Sequence, residues 1–388
     1  MKKFSFKIVI TGVAAALCCC LCLLIFNLAG TVAALITVGV SAVLLAWTYF
    51  GLKIFSGFLL ADFKLLRFTK KLKKQLKEAS GVYIMGHKFS DLDSVGASFG
   101  LYYALRDNYK VRMIANKQNT LARPLIDFLR FSDRECQIYD YSEIAHTLDE
   151  KSLLIVVDTH RPVIMDFEEL YSKIPNVVII DHHRKADDFV DRTVCKYMKS
   201  SASSACEIVS LIIRLLGIEK PSTVAATALL SGIMLDTKNF VMNTNPNTFK
   251  AAAFLRQNRA DPVLIKKMFS ESVDVCKRKY EIISGVTLYE NFAIAKTETE
   301  DPYTRIATAQ AADELLAING VFASFVMCPS DGKINISARS FGDVDVQKIM
   351  AKLGGGGHKT VAACQINATF EKAEKSLKEA IKGYINQR

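Results

Sequence analysis

The sequence predicts an α/β chain of two lobes, a parallel-sheet domain followed by a smaller α/β domain, both preceded by a two-helix transmembrane hairpin. Three observations predict this. The apolar runs Val82-Tyr83-Ile84-Met85, Leu153-Leu154-Ile155-Val156-Val157 and Val177-Val178-Ile179-Ile180 do not alternate with polar residues, which is the pattern of strands buried on both faces of a parallel sheet. Helical periodicities separate these runs, giving the alternating order of such sheets. Residues 8–27 and 31–52 carry no charge, and each stretch is long enough to cross a hydrocarbon core of roughly 30 Å.

Within residues 1–60, Asn27-Leu28-Ala29-Gly30 makes a tight turn between the spans. Lys2, Lys3 and Lys7 precede the first span, and Lys53 and a basic run from Lys64 follow the second. Positive charge on one side only is expected to leave both ends, and the domains that follow, facing the cytoplasm at the cell membrane. A cleaved signal peptide is the rival, but its apolar core should be about 7 to 15 residues long, with no second span directly after it. Through Ser80 there are eleven Lys/Arg against Asp62 and Glu78, a net of +9 from the chain's +11, which leaves +2 for the rest. That near-neutral remainder argues against binding long nucleic acids, which needs a basic track for the phosphates. In the linker 61–80, Lys64, Arg67, Lys70, Lys71, Lys74 and Lys77 interleave at helical spacing with Leu65, Phe68, Leu72 and Leu76. An amphipathic helix on an anionic leaflet and a solvated helical linker both have this pattern. Four of the ten cysteines (Cys18, Cys19, Cys20 and Cys22) lie in the first span, and the other six form no Cys-x-x-Cys. They read as buried apolar residues in a reducing compartment.

The first lobe is expected over 81–283. Ser94 to Asp107 reads as a helix, Val111 to Ala115 as a strand, and the runs ending at Asp158 and Asp181 as further strands. Ser203 or Ser204 caps a helix running through Leu216, and a helix from Val224 delivers Asp236. A charged helix near Cys276 to Ile283 closes the lobe. The second lobe, 284–388, begins with a strand at Phe292 to Ala295 and a helix at Thr308 to Ala317. A hairpin over Val321 to Ser340 turns at Ser330-Asp331-Gly332. A helix at Val344 to Leu353, a strand at Val361 to Ile366 and a helix at Phe370 to Ile385 complete it.

Acidic and imidazole groups cluster after the apolar runs: His87-x-x-x-Asp91-x-Asp93, Asp158, Asp181-His182-His183, and Asp236 after Gly232-Ile233-Met234-Leu235. One such motif alone is commonly a helix cap or a solvated turn. Four together at strand ends, where parallel sheets bind ligands, point to a shared cation site. Carboxylates suit a hard divalent cation, and imidazole favours a first-row metal such as manganese over magnesium. His87, Asp91, Asp93, Asp158, His182 and Asp236 are too many ligands for one open ion. Two ions roughly 3.5 to 4 Å apart need a bridging carboxylate, and Asp158 is the choice for it. Such a pair activates water on one side and stabilises a leaving oxygen on the other, so Asp158 and the triplet Asp181, His182 and His183 are the catalytic candidates. Asp181 and His183 either bind metal directly or orient ligands and touch phosphate. In the second lobe, Gly354 to Gly357 lets backbone amides approach an anion, and Arg339 can grip a phosphate with two hydrogen bonds. A glycine run alone is commonly a flexible turn; Arg339, Gly355, Gly356, Gly357 and His358 are the substrate-binding candidates on the resemblance given next.

Gly86-His87 with Asp91 and Asp93, Val157-Asp158-Thr159-His160-Arg161-Pro162, Asp181-His182-His183, Leu235-Asp236-Thr237-Lys238-Asn239-Phe240 and Gly354-Gly355-Gly356-Gly357-His358 resemble the DHH phosphoesterases. More narrowly, they resemble the GdpP-type cyclic-di-AMP phosphodiesterases. The resemblance covers about residues 80 to 388. It implies a two-lobed DHH fold with a catalytic and a substrate-binding domain, and an enzyme with two Mn2+ ions that opens cyclic di-AMP to 5′-pApA. It places His87, Asp91 and Asp158 on one ion, and Asp93, Asp158, His182 and Asp236 on the other, and it also implies a homodimer. Proteins of this type usually carry PAS and degenerate GGDEF domains after the membrane spans, where this chain has only about twenty mostly basic residues. The alternatives are a nanoRNase or phosphoadenosine phosphatase acting on short linear nucleotides such as pApA, and a non-catalytic cyclic-dinucleotide sensor.

Overall fold

A computed structural model describes residues 63–387 apart from 118–119, 134–135, 187, 191 and 219. The expected spans 8–27 and 31–52 lie outside the described residues. Among those described, no helix is long and apolar enough to cross a membrane. The chain divides into two compact units between Pro262 and Val263.

The first unit is built on a parallel sheet of β1 (Val82–Met85), β2 (Val111–Ile114), β3 (Ile138–Tyr139), β4 (Leu153–Val157), β5 (Asn176–Asp181) and β6 (Cys195–Met198). The strand order is β3-β2-β1-β4-β5-β6. The winding direction reverses between β1 and β4, so the loops after these strands diverge and leave a crevice at their carboxyl ends. All residues of β1 and β4, and all but the first of β5, are buried, which is why these runs show no polar alternation. Tyr83, Met85, Leu154, Val156, Val177 and Ile179 form the core on one face with Met165, Leu170 and Ile174.

Helices Leu92–Leu105, Ala205–Leu216 and Thr223–Asp236 pack together in the same unit. Thr223–Asp236 is apolar on every side because it is enclosed by its neighbours, so periodicity carries little signal there. Its contact with Leu92–Leu105 depends on glycine. A Cβ on Gly96 would lie 2.4 Å from the Ala228 carbonyl oxygen, and one on Gly100 would lie 2.6 Å from Leu229 Cδ2. The apolar run before Asp236 is thus the last turn of a helix, whereas the runs before His87, Asp158 and the Asp181 triplet are strands.

Helix Phe63–Glu78 belongs to this unit as well. Leu65, Phe68, Leu72 and Leu76 are all at most 3% exposed, packed against β6 and helix Ala205–Leu216, with the Phe68 and Tyr197 rings 5.7 Å apart. The apolar stripe that fits a lipid leaflet in the sequence is therefore spent on the protein core. Periodicity shows that a helix has an apolar face but not what covers it.

The second unit has a mixed sheet of β7 (Thr287–Tyr289), β8 (Phe292–Lys296), β9 (Ala323–Ser330), β10 (Lys333–Ser340), β11 (Gly356–Gly357) and β12 (Val361–Ile366), in the order β11-β12-β10-β9-β8-β7. Only β8 and β9 run parallel. Helices Val346–Lys352 and Phe370–Ile385 supply the core on one face. Helices Val273–Ser284 and Thr304–Leu315 supply the other through Val275, Ile282, Ala307 and Ala311. Val273–Ser284 therefore packs with the second unit, and the division falls earlier than the 283/284 boundary read from the sequence.

Phe68→Ala should destabilise the full chain by about 3–5 kcal/mol in urea denaturation, the usual cost of emptying a buried aromatic site. A change below about 1 kcal/mol would mean that the helix is not docked in solution.

Candidate metal centre

The chain leaves β1 through Gly86, where a Cβ would sit 1.9 Å from Ser94 Oγ. That hydroxyl accepts a hydrogen bond from His87 N at 3.3 Å. His87 Nδ1 donates to the Lys88 carbonyl at 2.6 Å, which turns Nε2 to within 3.3 Å of Asp158 Oδ2 and 3.9 Å of Asp91 Oδ1. Asp91 is the N-cap of helix Leu92–Leu105, its Oδ1 accepting from Asp93 N at 2.9 Å and Ser94 N at 3.1 Å. It is a helix cap and a member of the cluster at once.

Asp93 is fully buried. Its two oxygens accept from Ala205 N at 2.7 Å and Cys206 N at 2.8 Å, the first amides of helix Ala205–Leu216. Those amides have no partner within their own helix, and the helix dipole favours a carboxylate there. Asp158 follows β4 with φ 61°, a left-handed conformation that Asp tolerates better than most side chains. Its amide donates to the Ile180 carbonyl. His182 Nε2 lies 3.2 Å from Asp158 Oδ1, 3.3 Å from Asp236 Oδ2 and 3.8 Å from Asp93 Oδ2.

Asp181 is held differently. Its Oδ2 accepts from His160 Nδ1, while its Oδ1 accepts from His183 N at 3.0 Å and His183 Nδ1 at 2.8 Å. Both oxygens are thus taken up in orienting imidazoles. The His183 side chain is half exposed, and its ring centre is 4.4 Å from that of His182. Ser204 and Glu207 are explained without the centre. Ser204 caps helix Ala205–Leu216, and buried Glu207 accepts from Ser203, Thr248 and Asn245.

The candidates of the second unit sit at one end of its sheet. Arg339 Nε is 3.1 Å from Asp313 Oδ1, and one guanidinium nitrogen donates to its own chain at Ala338 O. The glycine run is an edge strand as well as a loop, since Gly356 and Gly357 pair with Ala363 and Ala362. A Cβ on Gly355 would lie 2.3 Å from the Ala363 carbonyl oxygen. Gly357 has φ 139°, and a Cβ there would meet the Val361 carbonyl oxygen at 2.5 Å. His358 is exposed, with its amide donating to Val361 O in a tight turn.

Potential ligand atoms of His87, Asp91 and Asp158 lie within 4.8 Å of one another, as do those of Asp93, His182 and Asp236, and those of Asp158, Asp181, His182 and His183. Burial, then the charge of Asp158, raises the pKa values of Asp91 and Asp93; burial, then the charge of Asp93, raises that of Asp236. Burial opposes protonation of His87, but Asp158 and Asp91 outweigh it and raise its pKa to about 9. Burial also opposes protonation of His182, yet Asp158, Asp93 and Asp236 raise its pKa to about 10. Asp158 is itself held below the usual carboxylate range by His182 and His87 against its burial. Its Oδ1 is buried yet accepts no hydrogen bond, because His182 is close but not aligned to donate. Two buried carboxylates and two partly buried ones, with an unsatisfied oxygen on Asp158, make the kind of donor set that a divalent cation takes.

Residues 81–233 match the DHH family, N-terminal domain, and residues 290–387 match the DHHA1 domain. The chain belongs to the DHH family. It is 39% identical over 322 residues to the cyclic-di-AMP phosphodiesterase GdpP of Geobacillus thermodenitrificans, covering 81% of this chain and 49% of that protein. It is 35% identical over 324 residues to the cyclic-di-AMP phosphodiesterase PdeA of Listeria monocytogenes, with the same two coverages of 81% and 49%. The chain spans about half the length of these curated relatives. An exopolyphosphatase-related protein from Bacteroides fragilis shares the DHH chain's fold at TM-score 0.68 and 22% identity, covering 82% of this chain and 96% of that one.

Three parts of the centre escape sequence reasoning. His160 appears there only within a motif, and its pairing with Asp181 joins the loop after β4 to the end of β5. The cap at Ser204 marks where the free amides of Ala205 and Cys206 lie, but not that they hold Asp93. Gly232 packs against Asp93, and a glycine inside a helix marks close packing without naming the neighbour.

Gly232→Ala would put a Cβ 2.7 Å from Asp93 Oδ1 and 2.5 Å from Cys206 Sγ. It should weaken divalent-cation binding at least about tenfold by titration calorimetry, as displaced supports of metal ligands do. Wild-type affinity would show that Asp93 does not depend on this packing. In metal-free protein, His87 and His182 hold their protons to about pH 9 and about pH 10, against 6.5 for an ordinary histidine. Their contribution to stability is present below pH 6.5 and lost as pH rises through these values. The melting temperature without cations should therefore fall across this range, whereas stabilisation by Mn2+ should grow with pH because the ligands bind deprotonated. A metal-free melting temperature that climbs over the same range would contradict the assignment.

Proposed function

We propose that this chain is a membrane-anchored, metal-dependent phosphodiesterase that hydrolyses cyclic di-AMP to 5′-pApA. The observation that carries the reading is that the groups His87, Asp91, Asp158 and Asp93, His182, Asp236 adjoin through the contact of His182 with Asp158, one oxygen of which is buried and unsatisfied. The activity named for GdpP and PdeA supports the substrate. His87, Asp91 and Asp158 would hold one cation, and Asp93, Asp158, His182 and Asp236 would hold a second. The mixed imidazole and carboxylate donors favour Mn2+. When bound, the pair supplies Lewis-acid charge that activates water and neutralises the developing phosphorane.

The protein's own groups do the rest. Asp91 and Asp93 are held by helix-terminal amides before any cation arrives, so little reorganisation is required. His183, its Nδ1 fixed on Asp181, turns the rest of its ring to the substrate side, where it can contact phosphate or the departing 3′ oxygen. Arg339, the Gly355-Gly356-Gly357 segment and His358 hold the nucleotide phosphates. The charge-free stretches 8–27 and 31–52 anchor the chain in the cell membrane with its catalytic domains in the cytoplasm.

The test is product analysis over time for the full chain with Mn2+ and either cyclic di-AMP or pApA. Cyclic di-AMP should disappear first while pApA accumulates, and Asp158→Asn, which keeps the shape and tolerates the left-handed backbone, should lose at least about 100-fold in kcat. Conversion of pApA to AMP with the cyclic form untouched would move the chain to linear dinucleotides. Absence of turnover on both would leave a binding protein.

A further inference from the structure

We infer that His160 is a positioning residue, which by occupying one oxygen of Asp181 turns the other toward His183 and fixes the tautomer and direction of the His183 ring. His160 is 2% exposed. Its Nε2 accepts a hydrogen bond from Ala186 N at 2.9 Å, so that nitrogen carries no proton. The proton is on Nδ1, which donates to Asp181 Oδ2. Asp181 is completely buried and can rotate only at the cost of that contact. Its other oxygen is left to accept from both His183 N and His183 Nδ1. His183 therefore carries its proton on Nδ1 and directs Nε2 away from Asp181, with the side chain half exposed.

The alternative is that His160 only staples the loop after the triplet. It has the contacts for that as well. Its carbonyl accepts from Val190 N at 2.8 Å, and the neighbouring Arg161 forks onto Asp188 at 2.7 and 2.8 Å. The two roles use different ring nitrogens, so two substitutions separate them. His160→Asn keeps a donor near the Nδ1 position but cannot reach Ala186 N. His160→Gln keeps an acceptor near the Nε2 position but offers no donor to Asp181.

The chain has only six histidines, so side-chain nitrogen NMR of the metal-free, histidine-labelled full chain can resolve His183. At a pH high enough to leave His183 neutral, the wild type and His160→Asn should show it as the Nδ1–H tautomer, and His160→Gln should show it mixed or reversed. The kinetic half of the test rests on the proposed phosphodiesterase reading. There His160→Gln should lower kcat about 10–100-fold with KM within about threefold, while His160→Asn stays within about threefold of wild type in both. An unchanged His183 tautomer in His160→Gln would overturn the inference. So would equal losses in the two variants that track their melting temperatures. If the tautomer changes as expected but the wild type cleaves no phosphodiester, the positioning role stands and the functional reading fails.

Discussion

Electrostatic repulsion is the constraint on which the first unit depends. Asp91, Asp93, Asp158 and Asp236 approach one another at the rim of the sheet, where Asp93 and Asp158 are buried and Asp91 and Asp236 partly so, which strengthens their charge interactions. Each is restrained by a separate device. The helix Leu92–Leu105 holds Asp91 through its first amides, and Ala205–Leu216 does the same for Asp93. Asp158 sits on a left-handed turn between two imidazoles, and Asp236 ends a helix beside His182. Without a cation the cluster can relieve its repulsion only by taking up protons. With one, the same groups become a preorganised donor set, and the stabilisation that repulsion removes is returned on binding.

That arrangement explains packing that would otherwise look unrelated to chemistry. Asp93 and Asp236 lie at opposite ends of two helices that must run in close contact, and Gly96, Gly100 and Gly232 permit the approach. Larger residues at these positions would separate the helices and with them the two carboxylates. The glycines thus act on the site through distance rather than through any contact with substrate. Asp181 has an equivalent part on the other side of the centre, where its oxygens serve two histidines instead of a cation.

Much of this was legible in the sequence, for a physical reason. Strands buried on both faces must be apolar throughout, so β1, β4 and β5 announce themselves, and charged groups directly after them stand out against that background. Glycine, proline and capping residues likewise mark the second unit, where the hairpin turning at Ser330-Asp331-Gly332 and the helix Phe370–Ile385 lie where the pattern places them. What remained hidden depends on partners distant in the chain. The apolar stripe of Phe63–Glu78 looks the same whether it meets lipid or Tyr197, and the pairing of Val273–Ser284 with Thr304–Leu315 is not encoded in either helix alone. His160 is hidden for the same reason, since a buried histidine reveals its role only through the groups at its two nitrogens.

The burial of Phe63–Glu78 also bears on how the first unit would sit at a membrane. A flexible tether would let the unit diffuse over a wide volume, but this helix is part of the folded unit, with Lys64, Arg67, Lys70, Lys71, Lys73, Lys74 and Lys77 on its exposed side. Only residues 53–62 then separate the helix from the end of the proposed second span, a reach of at most about 35 Å. Attraction between surface lysines and an anionic leaflet acts within about one Debye length, roughly 8 Å at physiological salt. With the proposed spans in a bilayer, so short a connection would bring the basic side within this range, whereas the apolar side is already committed to the protein. The same pattern of residues that suggests insertion into lipid would therefore act, in this fold, as an electrostatic face on a unit held close to the bilayer by the covalent chain.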